Sequence, residues 1–209
     1  MINNSLKPSG IHDQALLSAF LRVERDYFVE NGLKDHALVY ENSTPLSKDR
    51  FFSNTKVYAK LLQEAKITGD EKVLVLPLSC GYYGAIIAHI AGEVWGIELP
   101  QNEHLFNLPL KTATYPRERL HSVLIAELEN GYPTKAPYDV IFIDGAVEEF
   151  PLHLLDQLTH KGRIIYVDHS DVNYFYGKIM YKNKMTSSMI TETQIPVSDL
   201  FRKKNVFEL

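Results

Sequence analysis

The 209-residue sequence has little cysteine, no long apolar run and no large excess of either charge. Cys80 is the only cysteine, which excludes an internal disulfide framework and a cysteine-based zinc cluster. No apolar stretch approaches the ~20 residues that span a bilayer, and no basic start followed by an apolar run indicates a secretory signal. A net charge of -4 gives no electrostatic reason to expect nucleic acid or an anionic membrane as a partner. We therefore expect a cytoplasmic protein with neither kind of partner.

The composition that is present is that of a globular protein. Hydrophobic residues make up 45% and charged residues 23% of the chain, close to the averages for folded domains. No repeat, low-complexity tract or linker interrupts the sequence. Residues 1–209 are therefore expected to form a single domain, long enough to bury a core on both faces of a sheet. The sequence carries no signal for an oligomeric state.

Two helices are predicted ahead of the central region. Asp13 is a suitable N-cap for the first, which we expect to continue to about Phe28. Apolar residues recur at helical spacing through this segment and give the helix one face to bury. A second helix is predicted from about Thr55 to Lys66. Together they would form an N-terminal helical cap.

The middle of the chain alternates between apolar runs and helical segments. The apolar runs are continuous, which is typical of strands covered on both faces, as in parallel sheets. This alternation predicts a doubly wound, mostly parallel Rossmann-like α/β sheet, with antiparallel strands added at one edge by the last part of the chain. The predicted strands are 73–76, 94–98, 121–126, 139–143, 163–167, 178–181, 189–195 and 205–209, and helices are predicted at 85–90 and 152–158.

Such sheets bind ligands beyond the carboxyl ends of their strands, where the strand order reverses. The first strand leads into the loop 77–82, the second ends at Glu98 and the fourth at Asp144. An acid that ends the second strand is well placed to accept hydrogen bonds from ribose hydroxyls. The sequence therefore favours an adenosine-bearing cofactor.

Several segments, in order, resemble the protein-L-isoaspartate O-methyltransferases, and a divergent bacterial branch of that family in particular. The resemblance covers most of residues 7–168. The segments are 20–29 (FLRVERDYFV), 46–62, 73–88, 94–98, 136–141 and 151–163. It implies S-adenosylmethionine as methyl donor and isoaspartyl carboxylates of damaged proteins or peptides as acceptor, with in-line displacement at the sulfonium methyl. Because a carboxyl of pKa ~4 is already ionised at pH 7, the reaction needs no strong general base.

Three residues are identified through this resemblance. Ser53 falls where the family has the serine of an Ile-Ser-Gln-Pro turn, which implies contact with the acceptor carboxylate. The alternative is that Ser53 only caps the following helix. Glu98 matches the acid that binds ribose, although it could be an exposed acid without a role. Glu127 lies near the position of the acid in the family's Gly-Asp-Gly loop on the adenine side.

The glycine-rich loop departs from the family pattern, roughly acid-x-Gly-x-Gly-x-Gly. Pro77 and Ser79 replace the first two glycines, Val75 replaces the acid, and Gly81 persists. Pro77, Ser79 and Gly81 are nevertheless the expected cofactor-binding residues of this loop. The departure supports an alternative function: a degenerate member of the family that has lost cofactor binding and serves as a binding or scaffold protein.

A second departure lies between the second and third strands, where Pro100, Pro109 and Pro116 are expected to leave only short helical turns.

Other groups of polar residues have simpler interpretations. Asp144, Asp168 and His169 superficially resemble a magnesium site, but we interpret them as solvated acids at strand ends and expect no metal. Cys80 is expected to be a small, half-buried loop residue.

Overall fold

The computed structural model of the chain describes residues 2–29, 43–171, 173–183, 186–192, 196 and 201–203. Four α-helices and nine strands lie in these ranges. The helices are α1 (Gln14–Arg22), α2 (Thr55–Ala65), α3 (Tyr82–Ala88) and α4 (Glu103–Thr112). The strands are β1 (Thr44–Pro45), β2 (Phe51–Phe52), β3 (Lys72–Leu76), β4 (Glu93–Glu98), β5 (Leu120–Leu124), β6 (Tyr138–Val147), β7 (Leu158–Asp168), β8 (Tyr176–Tyr181) and β9 (Thr186–Glu192).

Strands β3 to β9 form one seven-stranded sheet in the order β5-β4-β3-β6-β7-β8-β9. The pairs from β5 to β7 are parallel, whereas β8 and β9 are antiparallel. After β3 the chain moves outward to β4 and β5, and then returns to the other side of β3 with β6. The order therefore reverses between β3 and β6, which is where such sheets bind ligands. The predicted Rossmann-like sheet with an antiparallel edge is confirmed; the predicted strand at 205–209 lies outside the described residues.

Each face of the sheet has its own apolar core. In β3, Val73 and Val75 point into the core formed with the helices, and Leu74 and Leu76 into the core on the opposite face. This alternation follows from the two-residue period of a strand. Burial on both faces explains why the strands have continuous apolar sequences.

The N-terminal helix is shorter than predicted. α1 begins after the expected N-cap Asp13, whose Oδ1 accepts from the Leu16 N–H at 3.0 Å, but it ends at Arg22. Val23 is extended, and Arg25–Phe28 forms a separate 3-10 turn. This break places the Phe28 ring against Tyr82, with 5.3 Å between the ring centroids, so tertiary packing outweighs continuation of the helix.

The segment Leu152–Gln157 is a 3-10 helix instead of the predicted α-helix. Pro151 precedes it, and Leu158 is already paired with Tyr138 as the first residue of β7. The six residues between Pro151 and β7 form 3-10 turns, with a proline at one end and a paired strand residue at the other. The second face of the sheet is thus covered by short turns.

The prediction that Pro100, Pro109 and Pro116 leave only short helical turns after β4 was wrong at Pro109, whereas Pro100 begins a 3-10 turn before the helix and Pro116 follows it. Pro109 lies inside α4, which is ten residues long. A proline at this position removes one backbone donor of the helix. Burial of Phe106 and Leu110 on one helical face offsets that loss. No helix in the described ranges has the length and apolarity needed to cross a bilayer.

Candidate functional site

The candidate site lies where β3, β4 and β6 end and where the β1–β2 hairpin crosses them. Ser53 follows β2 directly and is buried. Asn54, not Ser53, caps α2: its Oδ1 accepts from the N–H groups of Lys56 at 3.0 Å and Val57 at 3.3 Å. The helix-cap interpretation of Ser53 was therefore wrong, and the Ser53 side chain is directed at the sheet.

Ser53 is bonded to the acid that ends the apolar part of β6. Its Oγ donates to Asp144 Oδ1 at 2.6 Å, and its carbonyl oxygen accepts from the Tyr83 hydroxyl at 3.0 Å. Asp144 is buried, which corrects the expectation of a solvated acid. Burial raises its pKa to about 7, against the smaller lowering effects of the Ser53 hydrogen bond and the Arg50 charge. The site thus contains a carboxyl group that titrates near neutral pH beside a serine hydroxyl.

Glu98 lies at the end of β4 with no solvent exposure, so the alternative of an exposed acid was also wrong. Backbone N–H groups hold both of its carboxylate oxygens: Leu99 donates to Oε1 and Ser79 to Oε2, each at 2.8 Å. The Asn102 amide donates to Oε1 at 3.3 Å. This set of donors fixes the buried carboxyl group in one orientation.

The strongest partner of Glu98 is Arg50, a residue that the sequence analysis did not identify. The Arg50 Nη2 lies 2.6 Å from Glu98 Oε1, and its Nε lies 3.0 Å from Oε2. Nη1 donates to the carbonyl oxygen of Asp49 at 2.9 Å. Nothing local distinguishes Arg50 from a solvated turn residue, since its partner is 48 positions away.

The altered glycine-rich loop follows a path set by Leu78, whose N–H donates to the Ile97 carbonyl oxygen of β4 at 2.8 Å. The Leu78 side chain covers Gly96 so closely that a Cβ added there would lie 2.5 Å from Leu78 Cδ1. Ser79 adopts a left-handed conformation (φ 55°), and its hydroxyl donates to the Phe51 carbonyl oxygen at 3.3 Å. Gly81, with φ 87°, precedes α3. The loop therefore packs on β4 and on the hairpin.

A cavity of about 10 Å³ remains among these groups. That volume is about the lower limit for a single water molecule, whereas pockets for small organic ligands have roughly 300–1,000 Å³. This cavity by itself therefore does not hold S-adenosylmethionine, and the oxygens of Glu98 beside it are already bonded. The residues lining the cavity include Arg50, Ser53, Pro77, Ser79, Asp144 and Gly145.

The structure brings Ser53, Pro77, Ser79 and Glu98 together but leaves Glu127 apart. Glu127 is exposed and accepts a hydrogen bond from the Asn130 amide at 2.6 Å. It does not line the cavity, and its contact with a cofactor stays a prediction.

The remaining polar candidates have local partners. Asp168 is paired with Lys178 Nζ at 2.8 Å, and the His169 ring is stacked on Phe175. Among the residues with described positions, no group of three or more His, Cys, Asp or Glu side chains could hold a metal ion. Cys80 is buried rather than half-buried, and burial raises the pKa of its thiol to about 12.

The strand order and the antiparallel edge are those of the Rossmann-like methyltransferase fold class. Within that class, the sequence profile of the protein-L-isoaspartate(D-aspartate) O-methyltransferases matches residues 1–197. The chain belongs to this family, as the resemblance in its sequence predicted.

Named relatives agree with the assignment. A protein-L-isoaspartate O-methyltransferase of Syntrophobacter fumaroxidans is 31% identical over 166 residues, covering 79% of this chain and 76% of the relative. One from Burkholderia vietnamiensis is 34% identical over 164 residues, which are 77% of this chain but 51% of that protein. The comparisons favour the methyltransferase interpretation over the scaffold alternative.

Solved structures support the fold. A protein-L-isoaspartate O-methyltransferase aligns with a TM-score of 0.77 at 19% identity, covering 94% of this chain and 64% of that one. This chain thus spans less than two thirds of that protein. A structure described as the Plasmodium falciparum enzyme in complex with S-adenosyl-L-homocysteine also aligns with a TM-score of 0.77, at 15% identity, covering 93% and 95% of the two chains.

Proposed function

We propose that this chain methylates isoaspartyl carboxylates in damaged proteins, with S-adenosylmethionine as the methyl donor. The observation that carries the proposal is the position of Ser53. The chain belongs to the family, and its Ser53 hydroxyl is buried where the strand order reverses. There it lines the cavity between the loops at the strand ends and bonds to Asp144. The S-adenosyl-L-homocysteine bound to the Plasmodium falciparum relative supports the choice of donor.

The chemistry of the site agrees with a carboxylate acceptor. An isoaspartyl carboxylate is ionised at pH 7 and does not need a base to remove a proton. We assign to Ser53 the role of donating a hydrogen bond to that carboxylate and orienting it. Asp144 now accepts this hydrogen bond, so an acceptor must either displace it or share the Ser53 hydroxyl with it.

We assign the adenosine side to Glu98 and to the loop from Pro77 to Gly81. Because the cavity beside these residues has only about 10 Å³ and the oxygens of Glu98 are bonded, we derive no step that involves the bound cofactor. We further propose that residues 1–209 form one domain that acts in the cytoplasm on isoaspartyl-containing proteins or peptides. The two cores that share one sheet support a single folding unit.

The test is methylation of an isoaspartyl-containing peptide by the whole chain. The quantity measured is the amount of base-labile methyl ester formed on the peptide. The same peptide with a normal aspartyl residue is the control substrate. Ester formation on the isoaspartyl peptide alone is expected. Equal signals on both peptides, or none, would overturn the proposal.

Ser53→Ala tests the role of the hydroxyl. A hydrogen bond to a charged group contributes about 1.5–3 kcal/mol, so we expect kcat/KM to fall by roughly 10- to 100-fold. Ser47→Ala is the matched control, because Ser47 lies on the same hairpin and bonds to Asp49, which lines the cavity, but does not line it itself. An equal loss in both variants would assign the effect to the hairpin and not to Ser53.

A further inference from the structure

We infer that Arg50 is an internal competitor of the cofactor: the Arg50–Glu98 ion pair and a bound S-adenosylmethionine exclude each other. Arg50 thereby sets the affinity for the cofactor. This inference rests on the proposed function, since it takes Glu98 as the acid that receives the ribose. It concerns a buried ion pair in the candidate site that neither the sequence nor the family assignment predicts.

The first argument is the number of hydrogen bonds that Glu98 already accepts. A carboxylate offers about four lone-pair sites. Oε1 receives Arg50 Nη2, Leu99 N and Asn102 Nδ2, and Oε2 receives Arg50 Nε and Ser79 N. No acceptor site is left for two ribose hydroxyls. Of the two side-chain donors, Asn102 contacts only Oε1, whereas Arg50 contacts both oxygens, so Arg50 is the partner whose movement frees both.

The second argument is space. Arg50 lines the cavity of about 10 Å³, and only 1% of its side chain is exposed. The Arg50 guanidinium therefore occupies the space beside the Glu98 carboxylate and also donates hydrogen bonds to both of its oxygens. Withdrawal of Arg50 would enlarge the cavity and free both oxygens of Glu98 in one movement.

The third argument is that Arg50 is held in place. Its Nη1 donates to the carbonyl oxygen of Asp49 and lies 3.3 Å from Asp49 Oδ2. Separation of a buried ion pair is unfavourable unless each charge finds a new partner. The closed state is therefore the main state of the free protein, and it lowers the apparent affinity for the cofactor by the fraction of molecules that are open.

Movement of Arg50 also affects Ser53, three positions later on the same segment. The hairpin is bonded to the loop after β3 through the Ser79 hydroxyl and the Phe51 carbonyl oxygen. Withdrawal of Arg50 from Glu98 thus loosens the segment that presents Ser53. Cofactor entry and the placement of the acceptor serine are coupled through this hairpin.

The test is calorimetric titration of S-adenosylmethionine and S-adenosylhomocysteine into the wild type, Arg50→Ala and Arg50→Gln. Arg50→Gln retains much of the side-chain volume without the charge, and replaces Arg50→Ala if that variant does not fold. We expect both variants to bind at least about tenfold more tightly than the wild type. Addition of Glu98→Ala to Arg50→Ala should abolish the gain.

Arg163→Ala is the matched control. Arg163 forms a similar two-pronged ion pair with Glu71, at 2.7 and 3.0 Å, near the amino ends of β3 and β6 and away from the cavity. Its removal should lower stability and leave cofactor affinity as in the wild type. A gain in affinity with Arg163→Ala would show that general loosening, and not release of Glu98, is responsible.

The outcomes separate this inference from the proposed function. Equal, measurable affinity in the wild type and both Arg50 variants overturns the competitor role and leaves the methyltransferase proposal intact. Absence of binding in every variant at millimolar ligand overturns both. Tighter binding in the Arg50 variants supports the competitor role, and the methylation assay then decides the function independently.

Discussion

Two residues other than glycine, Lys66 and Ser79, have left-handed backbone conformations in the described ranges, with φ of 53° and 55°. Lys66 is exposed and ends α2, where its N–H donates to the Gln63 carbonyl oxygen. A left-handed residue at a helix end is common, and it is usually glycine. Ser79 is buried in the loop after β3, and its hydroxyl bonds to the hairpin.

Glycine substitutions at these two positions measure how much the Ser79 hydroxyl contributes to stability. Lys66 serves as the reference position because its side chain is exposed. A left-handed conformation costs a residue with a side chain about 1–2 kcal/mol, which glycine avoids. Part of this gain in stability is cancelled because glycine also raises the conformational entropy of the unfolded chain. We expect Lys66→Gly to raise the free energy of unfolding by about 0.5–1 kcal/mol. Ser79→Gly should gain less, because it also loses the hydrogen bond to Phe51. Urea denaturation of both variants gives the two values, and a larger gain for Ser79→Gly would contradict a holding role of its hydroxyl.

At the scale of elements, the loop after β3 and strand β4 fit together through Leu78 and Gly96. The absence of a side chain at Gly96 lets Leu78 pack on the strand, with two further Leu78 atoms 3.1 Å from the position of a Cβ. This contact determines the path of the loop where the family pattern has glycines. A leucine that covers the sheet takes the place of an open backbone cradle.

Gly96→Ala is therefore expected to destabilise the fold. Its φ is not left-handed, so the effect is steric: the new Cβ would lie 2.5 Å from Leu78 Cδ1. Overpacking of this kind costs about 1–3 kcal/mol. Gly69→Ala is the matched control, because a Cβ there has no neighbour within 4 Å. Equal unfolding midpoints in urea for the wild type and Gly96→Ala would show that Leu78 can move aside freely.

Elements with a regular apolar pattern could be predicted from the sequence, and those shaped by tertiary contacts could not. β3 and the central part of β6 follow from continuous apolar runs, and α2 from its helical spacing. The end of α1 depends on packing of Phe28 against Tyr82, which is distant in sequence. The same limit applies in the site: Glu98 follows from its place at a strand end, whereas Arg50 gains its role only through a partner on another element.

At the scale of the whole molecule, Asp144 links folding to pH. Its carboxyl is buried between the hairpin and the sheet, with Arg50, Glu98 and Tyr58 as its charged or titratable neighbours. Burial raises its pKa from 3.8 to about 7 in the folded state. Between these values the folded protein retains a proton that the unfolded chain has released. The free energy of unfolding contributed by this group therefore falls as pH rises from about 4 to about 7.

Asp144→Asn removes that dependence and preserves an oxygen that accepts from Ser53. The stability of the variant relative to the wild type should therefore increase between pH 4 and pH 7 and stay level above. Since one pKa unit corresponds to about 1.4 kcal/mol, the total change is about 4 kcal/mol at most. Urea denaturation of both proteins at a series of pH values measures the difference directly, because the other carboxyl groups contribute equally to the two. A difference that does not vary with pH would mean that Asp144 is ionised throughout, stabilised by Arg50 and Ser53 more strongly than burial opposes it.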